Sequence, residues 1–264
     1  MIDRQTLGTF PVTQVLGVGV TTLSLDQHVA LLTEWARRRD RSRVVCVANV
    51  HMLVEGRRDA AFAEILKQAD AVTPDGMPLV WFLRRRANPR QERVAGMDLL
   101  SALCAAAERE GIGVFFLGST PDVLEAVGQL LRREHPRLRL AGMESPPFRE
   151  PTPNEDTALV ARIAASEAGF VFVSLGCPKQ ERWMHAHRDK IRTVMVGMGA
   201  AVAVYAGVEP RAPRFMRQLG LEWLFRLIRE PRRLWRRYAV TNSLFVWFML
   251  KESLRVGARQ STPR

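Results

Sequence analysis

Short, nearly continuous apolar runs recur through the first two hundred residues. Val44–Ala48 reads VVCVA, Gly113–Leu117 reads GVFFL, Gly169–Leu175 reads GFVFVSL and Thr193–Val196 reads TVMV. Runs this short, bounded by turn residues and apolar at every position, are the pattern of strands covered on both faces. Segments of helical periodicity lie between them. Ser24-Leu25-Asp26-Gln27 is a capping box opening a helix that reaches about Arg39. Met97–Glu110 forms a second helix, stopped by Gly111. Thr120-Pro121 supplies an N-cap and a proline at the first helical position of a third, which ends near His135 ahead of Pro136. Strand and helix in alternation predict a parallel sheet in an α/β sandwich.

Two stretches break this rhythm. Glu144–Glu155 (ESPPFREPTPNE) carries four prolines in twelve residues and is expected to be irregular, a long loop inside one domain. After Gly207 the character of the chain changes. Arg214–Glu230 and Arg232 to about Arg255 read as two helices parted by Pro231, rich in arginine and in tryptophan and phenylalanine. The division expected is therefore 1–207, a compact Rossmann-like domain with a mainly parallel sheet, and 208–264, a basic, aromatic-rich helical appendage.

Charge sharpens that division. The chain of 264 residues carries a net +12, and +9 of it lies from position 208 onward, where thirteen Lys/Arg face four Asp/Glu. A basic appendage on a nearly neutral domain points to an anionic partner such as phosphates or a membrane surface. Interleaved arginine and tryptophan favour the membrane surface, although the aromatics could equally pack on the main domain. Nucleic acid is not the expected partner, because the main domain is close to neutral and contains no recognised nucleic-acid module. The longest apolar run in the appendage, Leu244–Leu250, is too short to span a bilayer. The opening residues, MIDRQTLGTF, lack the basic flank and apolar stretch of an export signal. The three cysteines are far apart and form no CxxC pair, which fits a reducing compartment and neither a disulfide scaffold nor a zinc site.

Four short segments could carry chemistry. Thr73-Pro74-Asp75-Gly76 follows a short strand at its carboxyl end, where open α/β sheets place their ligands. Asp75 there is either a fixed general base or part of an ordinary Pro-Asp-Gly turn, and spacing alone favours the turn. Arg93, ahead of Gly96 and the helix start at Asp98, is either an anion-binding guanidinium or a surface ion pair. Leu117-Gly118-Ser119-Thr120 joins a strand to a helix N-terminus, a natural anion site. Gly176-Cys177-Pro178-Lys179-Gln180-Glu181 crowds a cation, an amide and a carboxylate at a strand end, with Cys177 read as structural. Gly197-Met198-Gly199 is only a fragment of the dinucleotide fingerprint, so a nicotinamide enzyme is not favoured. His185 and His187 are expected on the surface and not as metal ligands. Asp-x-Asp occurs nowhere in the chain, so no metal or other cofactor is expected, and arginines would have to neutralise a diphosphate.

Taken in order, these segments resemble a known family. Asn49, Pro74-Asp75-Gly76, Glu92-Arg93-Val94, Gly96, Leu117-Gly118, Gly176, Pro178-Lys179-Gln180-Glu181, Arg211-Ala212-Pro213, Gly220-Leu221-Glu222-Trp223, Arg226, Glu230-Pro231 and Arg233 follow the order and spacing of the WecG/TagA/CpsF glycosyltransferases. The resemblance runs from about Val12 to Tyr238. It implies an inverting, metal-independent transfer of a hexose from a UDP-sugar to an undecaprenyl-diphosphate-linked sugar. The setting implied is the inner face of the bacterial plasma membrane, in cell-surface or exopolysaccharide synthesis. On the same ground Asp75 is the candidate general base, and Asn49, Arg93 and Gln180 are candidate substrate contacts; Gly118, at the helix N-terminal anion site, and Glu181, in the polar strand end, join them from the residues' own chemistry. Arg226, Arg233 and Arg236 are candidate diphosphate contacts from the appendage. Self-association is implied too, and an apolar face on the appendage would permit it. One position departs: many relatives have Thr where this chain has Val47, so one hydroxyl contact is missing. A membrane-surface protein that binds a nucleotide sugar without turnover is the alternative.

Overall fold

In the computed structural model the described residues are 10–147 and 149–260, with part of the last helix described by its backbone alone. The export-signal expectation lies almost wholly outside them. Six strands form one sheet in the order β4-β3-β8-β7-β5-β6, every pairing parallel. In chain order they are β3 (Arg43–Ala48), β4 (Ala71–Pro74), β5 (Val114–Gly118), β6 (Leu140–Glu144), β7 (Phe170–Ser174) and β8 (Val194–Gly197). Two further strands, β1 (Val12–Val15) and β2 (Val18–Thr21), make a separate antiparallel hairpin. Thr21 donates its hydroxyl to the Val72 carbonyl at 2.8 Å, which brings the hairpin against the β4 edge. An edge covered this way is a poor template for pairing with another chain.

Alternation along the strands explains the two cores. In β3, Val45 and Val47 point into one apolar cluster, while Val44, Cys46 and Ala48 point into the other. In β7, Phe170 and Phe172 take the first side and Val171 and Val173 the second. A period of two with both phases apolar demands helices on both faces. On the first face lie α1 (Leu25–Arg38), α5 (Gly96–Glu110), α6 (Pro121–Glu134) and α9 (Ala201–Tyr205). The second is covered by α2 (Val50–Arg58), α3 (Ala60–Lys67), α4 (Met77–Arg86), α7 (Pro153–Ala165) and α8 (Lys179–Ala186). The expected capping box opens α1, with the Ser24 hydroxyl accepting from the Gln27 N–H and the Gln27 side chain accepting from the Ser24 N–H.

The Rossmann-like sandwich expected from the sequence is thus present, and three local expectations are corrected. Arg214–Glu230 is not one helix: α10 (Arg214–Gln218) and α11 (Glu222–Arg229) are separated where Gly220 takes a φ of 73°. The proline-rich stretch is irregular only over its middle, because β6 runs to Glu144 and α7 starts at Pro153. His187 is not a surface residue. It is 4% exposed, its Nδ1 lies 2.7 Å from the Trp183 carbonyl and its Nε2 lies 2.8 Å from Asp156. The reason is that α8 ends at Ala186, so His187 leaves the helical spacing and turns toward α7.

The last helix, α12 (Pro231–Gln260), packs along α2, with Arg57 of α2 over the Phe248 ring. Leu234, Thr241 and Phe245 are buried on that side. Trp223, Trp235 and Trp247 are not: they face solvent, as do Phe215, Leu219 and Ile228. The aromatic residues therefore divide between packing on the sandwich and exposure. No helix among the described residues is long and apolar enough to cross a membrane.

Candidate active site

The carboxyl ends of the parallel strands carry the sequence-predicted residues side by side. Asp75 follows β4, Asn49 follows β3, Gly197-Met198-Gly199 ends β8, Gln180 and Glu181 follow β7, and Gly118 ends β5. Adjacent strands are about 4.8 Å apart, so this edge extends about 19 Å from β4 to β5.

Asp75 is fixed by its backbone. Its N–H donates to the Ala48 carbonyl at 2.9 Å, and the neighbouring Pro74 carbonyl accepts from Val94 N–H at 2.8 Å. Gly76 lies against Asn49, where an added Cβ would meet the Asn49 Cα at 3.4 Å. Asn49 caps α2, its Oδ1 accepting from the Met52 N–H at 3.1 Å. The Val94 bond also delivers Arg93. Val94 is buried, Gln91 donates to the Leu23 carbonyl at 3.0 Å, and Arg84 donates to the Gln91 carbonyl at 2.9 Å. A loop anchored at those points holds the Arg93 guanidinium beside Asp75.

Charge at this end comes from both parts of the chain. Arg93 is ion-paired with Glu222 of α11, and Asp98 of α5 with Arg211. Sequence reasoning assigned no role to Glu222, Asp98 or Arg211 at the site. Each sits in a segment that was read, but the partners are more than a hundred residues apart and carry no short-range signal. Burial pushes the Asp75 carboxyl up from 3.8 to about 6. Arg93 opposes this, Glu222 and Asp98 add to it, and Arg226 opposes it. Asp75 is therefore no plain turn residue, the reading that spacing alone favoured. A carboxyl with its midpoint near neutrality can accept a proton and return it.

The middle of the edge is tied by serines. Ser119 N–H donates to the Ser174 carbonyl at 3.0 Å, and the Ser174 hydroxyl donates to the Gly199 carbonyl at 2.7 Å. Ser119 Oγ then donates to Ser174 Oγ at 3.0 Å, and Ser145 Oγ donates to the Ser119 carbonyl at 2.7 Å. Gly118 has a φ of 98°, and a Cβ there would stand 2.4 Å from the Ser174 carbonyl oxygen, so only glycine fits. The start of α6 is less open than its sequence implied. Thr120 already accepts the Val123 N–H, Pro121 has none, and the Leu124 N–H goes to the Thr120 carbonyl.

Gln180 and Glu181 are both buried, at 3% and 0% exposure. Gln180 Nε2 donates to Glu181 Oε1 at 2.7 Å. Burial pushes the Glu181 carboxyl up to about 7, against the hydrogen bonds from Gln180, from its own backbone N–H and from Cys177. Arg226 acts on Asp75 electrostatically, whereas Arg236 lies over the Trp235 ring with its guanidinium 5.9 Å from the ring centre. The backbone of Arg233 is in α12, and its side chain is outside the described residues. No group of three His, Cys, Asp or Glu suited to a metal ion occurs among the described residues. An open groove of about 390 Å³ between α6 and β6 lies at the opposite edge of the sheet from Asp75 and contributes nothing to this cluster.

Fold and site together define an α/β protein with a carboxyl raised by burial at the carboxyl edge of a parallel sheet, acted on by arginines. Within that class, the glycosyl transferase WecG/TagA/CpsF family model matches residues 13–259, and the chain belongs to this family. It is 31% identical over 200 residues to the N-acetylglucosaminyldiphosphoundecaprenol N-acetyl-beta-D-mannosaminyltransferase of Bacillus spizizenii, covering 75% of this chain and 76% of the relative. It is 29% identical over 224 residues to the enzyme of the same description from Staphylococcus aureus strain MW2, covering 84% and 86%.

Proposed function

We propose that the protein is an inverting, metal-independent hexosyltransferase. It moves a sugar from a UDP-sugar donor to a sugar linked through diphosphate to undecaprenol, in bacterial cell-surface or exopolysaccharide synthesis. The observation that carries this reading is the placing of Asp75, pinned at the carboxyl edge of the sheet by its N–H bond to the Ala48 carbonyl, in a site where Arg93 pairs with Glu222. The acceptor and mannosaminyl transfer named for the two relatives support the substrate class.

The chemistry is a single displacement. An acceptor hydroxyl oxygen forms the new bond to the anomeric carbon as the bond from that carbon to the donor phosphate breaks. UDP departs with the bonding pair, and the hydroxyl proton passes to Asp75, which later returns it to solvent. Negative charge grows on the departing phosphate, and fixed cations aimed at it lower the barrier. Arg226, Arg233 and Arg236 are assigned that task, and arginine suits phosphate because its fork of donors can bind two oxygens. Asn49, Arg93, Gly118, Gln180 and Glu181 belong to the surface that receives donor and acceptor.

Residues 208–264 act as an appendage that meets the membrane carrying the lipid acceptor, with the enzyme peripheral to its inner face. Exposed Trp81, Trp223, Trp235 and Trp247 support this, since tryptophan favours the membrane interface. Arginines near an anionic surface add about 1 kcal/mol each. Gly220 lies against Met77 and Trp81, so α4 and the appendage share one exposed apolar region.

The test is UDP release from a panel of UDP-sugars, with and without a short-chain polyprenyl-diphosphate sugar. Acceptor-dependent release from one donor is expected. Folded protein that binds a UDP-sugar yet releases no UDP with any acceptor would replace this reading with that of a non-catalytic binding protein.

A further inference from the structure

We propose that Glu181 is a positioning residue: it holds the amino end of the Gln180 amide, so that the amide oxygen is the face offered to a hydrogen-bond donor on the bound sugar. The inference rests on reading Gln180 as a sugar contact and deepens it.

Gln180 and Glu181 are consecutive in the first turn of α8, yet both are almost wholly buried. Burying an amide and a carboxyl beside each other is unfavourable unless their hydrogen-bonding groups are matched. Half of the pair is matched. Gln180 Nε2 donates to Glu181 Oε1 at 2.7 Å, while Gln180 Oε1 has no partner. A carboxyl oxygen that carries no proton can only accept, so Oε1 selects the amino end of the amide and turns the amide oxygen away. No cation pairs with Glu181 among the described residues. The titratable groups facing it are Cys177, from the loop before α8, and Cys46, from β3.

The amide nitrogen lies against Gly197 at the end of β8, and the unmatched oxygen is the end nearer Gly199, just beyond the strand. A Cβ placed on Gly199 would lie 3.6 Å from Gln180 Oε1, and one on Gly197 would lie 2.8 Å from Nε2. The amide therefore lies across the Gly197-Met198-Gly199 turn, and the absence of a side chain at Gly197 is what admits it. This turn sits between the strand ends of β3 and β7, in the middle of the edge that begins at Asp75. A buried acceptor without a donor is a standing cost, which a ligand hydroxyl or N-acetyl N–H placed there would remove. Gln180 Oε1 is covered as well, so a sugar meets it only by seating over the β8 turn, and Glu181, the deeper of the two residues, acts through Gln180.

The experiment compares four variants with wild type, using UDP-N-acetylmannosamine and N-acetylglucosaminyl-diphospho-undecaprenol as probes. An amide at position 181 can donate as well as accept, and it no longer selects one orientation of Gln180. Glu181→Gln is expected to raise the donor KM about 3- to 10-fold with kcat within about twofold, the mark of lost ground-state binding. Gln180→Glu places two carboxyls in contact and raises KM further. The exchange Gln180→Glu/Glu181→Gln restores one donor facing one acceptor, and is expected to recover most of that loss. An unchanged KM in Glu181→Gln, or an exchange variant no better than Gln180→Glu, would overturn the proposal. Gln180→Ala separates the two readings. If it leaves KM unchanged, the sugar contact itself fails; if it raises KM while Glu181→Gln is silent, only the positioning role fails. One readout needs no turnover: the side-chain NH2 resonances of Gln180 should shift in Glu181→Gln, and their remaining in place would also refute the pairing.

Discussion

Asp75→Asn should make the protein inactive and more stable at once. The carboxyl is raised from 3.8 to about 6, with burial as the leading cause. A shift of about 2 units corresponds to about 3 kcal/mol at 1.36 kcal/mol per unit. The sign follows from proton binding. Between about pH 4 and pH 6 the folded state holds a proton that the unfolded state has released, so stability falls as pH rises through that window. Below it both states are protonated and no penalty exists; above it the full penalty stands. Asparagine has the shape of the neutral carboxyl and never ionises, so the variant avoids the penalty. The expected gain is zero near pH 4 and rises to a ceiling of about 3 kcal/mol by pH 7, or about 6–12 °C in Tm for a chain of this size. His28, buried and pushed down to about 4, destabilises the fold on acidification below about 6.5. It is present in both proteins and cancels in the comparison. Thermal melts of both proteins from pH 4 to 8 supply the stabilities, and UDP release supplies the activity. Loss of a general base lowers the rate about 10²- to 10⁴-fold. A variant no more stable than wild type at pH 8, or a difference that does not change with pH, would refute a partly buried Asp75 with a raised proton affinity.

The pH profile of kcat/KM should show an acid limb near pH 6, displaced upward by Arg93→Gln and downward by Glu222→Gln, since those charges act on Asp75 in opposite senses; shifts of one sign would contradict the assignment. Gly118→Ala places a Cβ against the Ser174 carbonyl at positive φ and should cost about 1–3 kcal/mol in chemical denaturation. Denaturation curves that superimpose would show that the strand edge has more room than the structure gives it. Replacing both Trp235 and Trp247 by Ser should weaken co-sedimentation with phosphatidylglycerol vesicles while leaving the fold intact, because both side chains are exposed. Unchanged sedimentation would move the membrane contact elsewhere.

What the sequence showed and what it hid divide along physical lines. β3, β5, β7 and β8 are interior strands of the sheet, apolar on both faces, and their runs were plain. β6 is an edge strand whose five residues are all only partly buried, and its sequence, LAGME, lacks the β-branched run. The β1–β2 hairpin has four-residue strands and turns at Leu16-Gly17, where a leucine adopts positive φ, so the usual Asn-Gly or Asp-Gly signal is missing. The break between α10 and α11 was readable from Gly220 but was masked by the amphipathic run on either side. At the site, Asp75 was legible as a residue, but its proton affinity was not. That property depends on burial and on Glu222, Asp98 and Arg226, which only the folded chain brings together. Gln180 and Glu181 were visible as a polar pair at a strand end, whereas their burial beneath the β8 turn required the packing of Gly197 against the amide.

The electrostatics of Asp75 link the two parts of the chain. Glu222 raises its proton affinity and Arg226 lowers it, and both belong to α11. The two charges act in opposite senses, with Glu222 the stronger of the two, so the helix sets part of the proton affinity of Asp75. Its position is set by Gly220 packed on Met77, two residues beyond Asp75, and by the Arg93–Glu222 and Asp98–Arg211 ion pairs. Partly exposed pairs of this kind contribute about 1 kcal/mol or less each. A helix held by such contacts can shift with little loss to the sandwich, whose two cores lie on the sheet faces. Shifting it would withdraw Glu222 and Arg226 from Asp75 in the same movement. If Asp75 and Arg226 have the roles proposed above, proton acceptance and leaving-group neutralisation would both respond to the position of α11, the helix that also carries the exposed Trp223.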